Sequence, residues 1–367
     1  MTVVTRMKSL IALLAVACIA FGLAACGDDW SSEDAGSAGT SGGSAETVSI
    51  DVGLDEPIVV DKGKPKIGML IPGETTEWLR VYIESAQARA EERGVDLEVV
   101  SADWDVQRQL GQMQNAIQSR KYDAWITATI DSNVECNAAT RDPAAAGIVV
   151  SLVVLPACGR DLEPIDGVWS PGTLNMVNGQ ENIDYKRGFL KAVSAELTGS
   201  HKIAVLFGPE LNQSTKAMRQ ALRELLAERR DLEVVTTANT DFTSPDALAK
   251  TQSLLQAHDE IDTVISVYSD ITRGVIQAIK SSGREGEIQV FDQGGSKYSA
   301  SQVAAGTLTA TTEYDAIDSG KASVDSLIAA FAGEDAGPRF VDTQSYGSVT
   351  EPHLITRENI GEYRADY

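Results

Sequence analysis

The segment IGMLIPGETTEWLRVYIESAQARAEERG, residues 67–94, decides the fold class. Ile67-Gly68-Met69-Leu70-Ile71 has no polar side chain at any position, which predicts a strand buried on both faces rather than one alternating towards water. A helix follows from about Thr76, because Leu79, Ile83, Ala86 and Ala90 recur every three to four residues, and it stops at Gly94. A buried strand feeding an amphipathic helix is the unit of a parallel sheet covered by helices.

Working outward, the unit repeats. Further strands are expected at 95–100, 124–127 and 148–153, separated by a helix carrying Leu110, Met113 and Ile117 and another from about Ser132. A second series follows at 203–207, 232–235, 264–267 and 288–291, with helices carrying Met218, Leu222 and Leu225, then Leu248 and Leu255. Ser244-Pro245-Asp246 supplies an N-cap and first turn for the helix carrying Leu248 and Leu255, and a further helix after 264–267 ends near Gly283. Strands begin at 67, 95, 125 and 148, then at 203, 232, 264 and 288, so the intervals of the first series return in the second. The fold class is therefore α/β, two doubly wound parallel-sheet lobes, with ligands expected between them beyond the carboxyl ends of the strands.

The chain has 367 residues, 43% of them hydrophobic and 23% charged, with 31 Lys+Arg against 53 Asp+Glu for a net charge of −22. That length holds about two domains, and the apolar fraction excludes wholesale disorder and a collagen-like or disulfide-scaffold fold. Such acidity repels a phosphate backbone, so nucleic acid is not an expected partner. Residues 1–25 read as an export signal: Arg6 and Lys8 precede an apolar run at 10–21 that is too short to span a bilayer. Leu23-Ala24-Ala25-Cys26 resembles a bacterial lipobox, with Cys26 the acylated residue; the alternative is ordinary cleavage that leaves Cys26 a thiol. Residues 26–56 are read as a lipidated flexible tether, because small and acidic residues dominate its first part and bury too little to become ordered.

Together these residues resemble the type I periplasmic binding proteins, which include ribose and galactose receptors. The resemblance runs from about Lys66 to Asp325. It rests on Ile67 to Ile71 with Trp78, Asp131-Ser132, Ala145-Ala146-Gly147-Ile148-Val149-Val150, Phe291-Asp292 and Leu308-Thr309-Ala310-Thr311. It implies lobes joined by a three-strand hinge: 57–170 plus 315–342, and 171–314 plus 343–367. Where the sugar receptors place an Asp-Arg pair after the fourth strand, this chain has Val154-Leu155, and the position resembling a second ligand-binding Arg is Ala217, with Arg219 two residues on. Losing such partners costs about 1–3 kcal/mol per buried hydroxyl, which disfavours a pyranose.

Five aromatics, Trp78, Trp104, Phe242, Tyr268 and Tyr314, fall at or just after strand ends or at crossovers, with Asp131, Asp270, Asp292 and Asp315 nearby. Ring faces attract compact cations at about 0.5–2 kcal/mol each. One reading is therefore a cage for a methylated amine, and the region resembles the periplasmic sensors of trimethylamine N-oxide. The other reading is a platform for a sugar ring, with Trp125 and Trp169 as packing residues in either case. Gly294-Gly295-Ser296-Lys297 is a plain turn or a close approach to ligand.

Enzyme motifs are absent. His201, His258 and His353 are scattered, with no metal-binding spacing, and no nucleophile elbow or phosphate loop occurs. No cofactor or metal is expected. Cys136 and Cys158 follow adjacent parallel strands and emerge at one sheet edge, so outside the cytoplasm they are expected to form a disulfide at the rim of the cleft, the alternative being two buried thiols. The expected protein is a monomeric solute-binding lipoprotein, anchored at the outer face of the cytoplasmic membrane or in the periplasm, delivering a sugar or methylated amine to an ABC permease. The alternative partner is a sensor histidine kinase. The segment Glu351-Pro352-His353-Leu354-Ile355-Thr356 is either a returning strand or a cover on the hinge.

Overall fold

In the computed structural model, residues 46–210 and 212–367 are described; the signal, Cys26 and most of the expected tether lie outside them. The described chain opens with an antiparallel hairpin of β1 (Thr47–Ile50) and β2 (Ile58–Asp61). Residues 47–56 therefore belong to the folded body and not to the tether, because Ile50, Val52 and Ile58 bury their side chains in the core.

The first lobe alternates β3 (Ile67–Ile71), α1 (Glu77–Arg93), β4 (Leu97–Ser101), α2 (Val106–Ser119) and β5 (Ala124–Thr127). It continues through α3 (Cys136–Ala139), α4 (Arg141–Ala145), β6 (Val149–Val153) and β7 (Asn175–Val177). β3 is buried at all five positions, as its composition requires. Helix α1 is capped by the Thr76 side chain, which accepts from Leu79 N, and ends at Gly94 in the left-handed region, φ 65°. The helix expected from Ser132 is broken in two at Thr140, where φ and ψ are −129° and −82°.

The second lobe holds α5 (Ile183–Glu196), β8 (His201–Phe207), α6 (Gln213–Glu228), β9 (Leu232–Asn239) and α7 (Ser244–Ala257). β10 (Thr263–Ser266), α8 (Ser269–Ser281), β11 (Gln289–Gln293), α9 (Lys297–Ala305) and β12 (Ala310–Thr312) complete its repeats. The chain then returns through α10 (Ile317–Ala332) and β13 (Phe340–Val341) to the first lobe, and through β14 (Leu354–Ile355) to the second.

The sheets run β4-β3-β5-β6-β7-β13 and β9-β8-β10-β11-β12-β14, parallel throughout except for the antiparallel β14. The lobe boundary expected at 171 moves past β7, because Asn175–Val177 pairs with β6 and Ser151 Oγ bonds Asn175 Oδ1 at 2.7 Å. The segment at 354–355 is a returning strand.

Three crossings lie side by side, near residues 178–182, 313–316 and 342–346. Asn178 Nδ2 donates to Asp315 O (3.2 Å) and Ser319 Oγ (2.8 Å), and Gln180 Nε2 donates to Glu313 O (3.0 Å). The Glu313 carboxylate accepts from Ser345 N and Tyr346 N at 2.8 and 2.6 Å. The hinge is thus held by hydrogen bonds between all three crossings, with Tyr314 and Ala316 buried in the core beside them. The C-terminal segment lies against it: Asp366 Oδ2 accepts from Ala316 N and Ile317 N, capping α10, while Tyr363 and Tyr367 donate to Gly295 O and Gly294 O. The turn at Gly294-Gly295 is thereby covered by the tail.

Candidate functional site

The strand ends of both lobes converge on a cavity of about 70 Å³, which shares Thr76, Trp104, Asn212 and Phe242 with an outer cleft of about 670 Å³. The first lobe supplies Trp78 and Tyr82 from α1, Trp104 after β4, and Val154 and Leu155 after β6. Asn212, Phe242 and Tyr268 come from the second lobe, and Glu181 and Tyr314 from the crossings. A ligand in this cavity touches both lobes and the hinge together.

The rings form a continuous series. Trp78 stacks on Tyr82 (centroids 5.1 Å) and meets Tyr314 at 5.5 Å; Tyr314 meets Tyr268 edge-on at 6.1 Å, and Tyr268 meets Phe242 at 5.9 Å. Three wall residues hold left-handed backbone angles: Val154 at φ 60°, Trp104 at 62° and Phe242 at 66°. For β-branched Val154 that is a strained conformation, and residues held in this region concentrate at functional sites.

Glu181 faces the cavity with its side chain 13% exposed. Its Oε2 pairs with Lys186 Nζ at 3.0 Å and its Oε1 accepts from Tyr314 OH. Lys186 is fully buried, and desolvation pushes its pKa down against the pull of Glu181.

The lobes are closed on each other. Trp78 N donates to Tyr268 OH at 3.3 Å, and Arg273 Nη2 pairs with Glu77 Oε2 at 3.0 Å. The Gln213 amide, placed to satisfy both its ends, donates to Pro156 O at 3.3 Å and accepts from Ser132 N at 3.1 Å.

Of the site residues expected from sequence, the structure brings Trp78, Trp104, Phe242, Tyr268 and Tyr314 to the inner cavity, and Asp131 and Asp270 to the outer cleft. Burial and the nearby Glu77 push the Asp270 carboxyl up. Asp292 is not in either lining. It lies fully buried beneath the sheet end, Oδ2 accepting from Ser299 Oγ at 2.8 Å. Asp315 sits in the hinge, capping the first turn of α10 through Asp318 N and Ser319 N. Trp125 and Trp169 are packing residues: Trp125 is buried in β5, and Trp169 lies under Arg339 and against Gly53. Sequence reading missed Glu181, Tyr82 and Asn212. The polar run Asn178-Gly179-Gln180-Glu181-Asn182 is the one signal that marked the first crossing.

Cys136 and Cys158 are bonded in the structure, Cα atoms 4.5 Å apart, tying α3 to the loop that carries Val154 and Leu155. Among the described residues no group of three or more His, Cys, Asp or Glu is arranged to hold a metal, and no helix is long and apolar enough to cross a membrane.

The fold is that of known solute-binding proteins. A solute-binding protein of Bacillus halodurans with bound myo-inositol superposes with a TM-score of 0.72 at 22% identity, over 84% of this chain and 99% of that one. One of Mycobacterium smegmatis with bound glycerol gives 0.68 at 21%, over 82% and 96%. Among curated proteins, a putative rhizopine-binding protein of Rhizobium meliloti is 26% identical over 279 residues, 74% of this chain and 83% of that protein. A D-apiose import binding protein of Actinobacillus succinogenes is 24% identical over 282 residues, 76% and 86%. The family model for the periplasmic binding protein domain matches residues 67–335, across both lobes and the first two crossings: the chain belongs to that family, as a binding protein and not an enzyme.

Proposed function

We propose that this chain is the exported solute-binding component of an ABC importer, which captures a small solute between its lobes and presents the closed form to a permease. The observation that supports this most is the inner cavity, whose walls come from both lobes and from two of the three crossings. A ligand there has contacts in the closed state that the open state lacks, and that difference in affinity drives closure. Anchoring is assigned to acylated Cys26, so the mature protein works as a tethered monomer outside the cell membrane, its rim stiffened by the Cys136–Cys158 bridge. The relatives named above supply sugars and polyols as the first solutes to screen; the ring-lined wall adds methylated amines, trimethylamine N-oxide among them.

The test measures melting temperature and tryptophan emission of the purified mature protein against such a panel, since Trp78 and Trp104 line the cavity. One solute is expected to raise the melting temperature and change the emission, and cells lacking the gene should fail to take that solute up. Uptake that persists while transcription of a response ceases assigns the protein to a sensor kinase instead. A panel in which no solute binds removes the reading.

A further inference from the structure

The polar atoms of the cavity's rings are already engaged by the protein. Trp78 Nε1 donates to Asp315 O (2.9 Å), Trp104 Nε1 to Thr75 Oγ1 (3.1 Å) and Tyr314 OH to Glu181; Tyr82 OH bonds Ser323 Oγ (3.1 Å), and Tyr268 OH accepts from Trp78 N. Toward the cavity these side chains present ring faces and edges. Val154, Leu155, Ile71 and Ala128 add hydrocarbon. A polyhydroxylated solute would leave most of its hydroxyls without partners there, at a cost for each.

Glu181 is the one charged side chain in this lining, beside the polar Thr76, which caps α1, and Asn212, whose Oδ1 accepts from Ser214 N at 2.9 Å. Each Glu181 carboxylate oxygen accepts one bond from the protein, and a carboxylate has about four acceptor positions in all. The carboxylate is therefore fixed from two sides, by Lys186 and Tyr314, and still able to accept from a ligand. Lys186 balances its charge, but from behind: the ammonium is buried, its other hydrogen-bond partner is Gln293 Oε1 at 3.1 Å, and it is not in the lining. Around the outer cleft stand Asp131, Asp241 and Asp270 against Arg80. Along the two linings together, carboxylates outnumber cations four to one. Ring faces and an acidic approach both favour positive charge.

We infer that the captured solute carries a protonated amine on a compact, largely apolar or ring-shaped frame, with Glu181 as the acceptor that sets this preference. This rests on the solute-capture reading and specifies its ligand. Glu181 acts as a specificity-determining residue: it selects the head group while the rings select shape.

The experiment uses matched pairs that differ in the head group alone: cyclohexylamine with cyclohexanol, benzylamine with benzyl alcohol, and 3,3-dimethylbutylamine with 3,3-dimethyl-1-butanol. Ribose, D-apiose and myo-inositol form a separate arm. Dissociation constants are measured by calorimetry on the mature protein. At least one amine is expected to bind, tighter than its neutral partner by about tenfold or more. E181Q should remove that discrimination and, because it strips the buried Lys186 of its counter-charge, should also lower the ligand-free melting temperature. If E181Q does not fold, the pairs on the unaltered protein decide alone. Equal binding within every pair, or no binding by any amine, overturns the inference. Binding by the sugar arm alone overturns it too, but leaves solute capture standing; silence in both arms removes both.

Discussion

Asp292 gives the sharpest quantitative test of how this fold uses its buried acids. The carboxyl lies at the end of β11 with no exposed surface; Oδ2 accepts from Ser299 Oγ, and Oδ1 has no protein partner. Burial pushes it from 3.8 up to about 6. That gap amounts to about 3 kcal/mol once the group is ionised in both states. The folded chain holds the proton more tightly than the unfolded chain does. The contribution is therefore fully present below about pH 4 and is lost as pH rises through 6. Between pH 5 and pH 7.5 Asp292 alone should cost the fold about 1.5 kcal/mol. Glu135 and Asp315, both pushed to about 7 by burial, act in the same direction. Glu224 and Asp231, held near 2 by Arg187 and Arg229, titrate below this window.

Urea unfolding of the parent and of D292N at the two pH values measures the difference. The parent should be more stable at pH 5 than at pH 7.5. D292N should show a pH dependence smaller by about 1.5 kcal/mol, whatever its absolute stability. Identical pH dependence in the two proteins would refute the reasoning, because it would mean that the buried carboxyl does not change its proton affinity on folding.

Replacing Cys136 and Cys158 by Ser should destabilise the fold by about 3 kcal/mol, since the bridge closes a sequence separation of 22 residues. Mass analysis of the unreduced, unfolded protein should find neither thiol free, and two free thiols there would reject the bridge. A Cβ on Gly208 would sit 2.2 Å from the Phe242 ring, so G208A should push that ring and weaken solute binding by about tenfold, read by calorimetry. At Gly320 a Cβ would stand 2.8 Å from Tyr82 O, where α10 passes α1; G320A should therefore cost about 1–3 kcal/mol in urea unfolding. E77Q removes the partly exposed interlobe pair with Arg273, and its dissociation constant should rise about two- to fivefold at low salt, a difference that fades as salt is added.

The sequence by itself determined the alternation of strand and helix. The reason is physical: a strand buried on both faces and a helix with one apolar stripe each write their environment into spacings of a few residues, as at Ile67 to Gly94. It also placed five aromatics near the cavity, because a residue that follows a parallel strand emerges at the carboxyl edge of the sheet. It did not show β7, a three-residue strand whose Asn175 is held by Ser151 across the sheet; so short a run has no period of its own. Nor did it separate Asp292 from Asp131 and Asp270, since all three follow strands, and the direction a carboxylate takes there is set by what packs around it. Burial under Ser299 turns Asp292 inward, whereas Glu181, marked only by the aperiodic polar run around it, is held at the cavity by Lys186 from α5 and Tyr314 from a crossing 133 residues away. Local periodicity fixed the two lobes; only their closure on one another decided which acid lines the inner cavity.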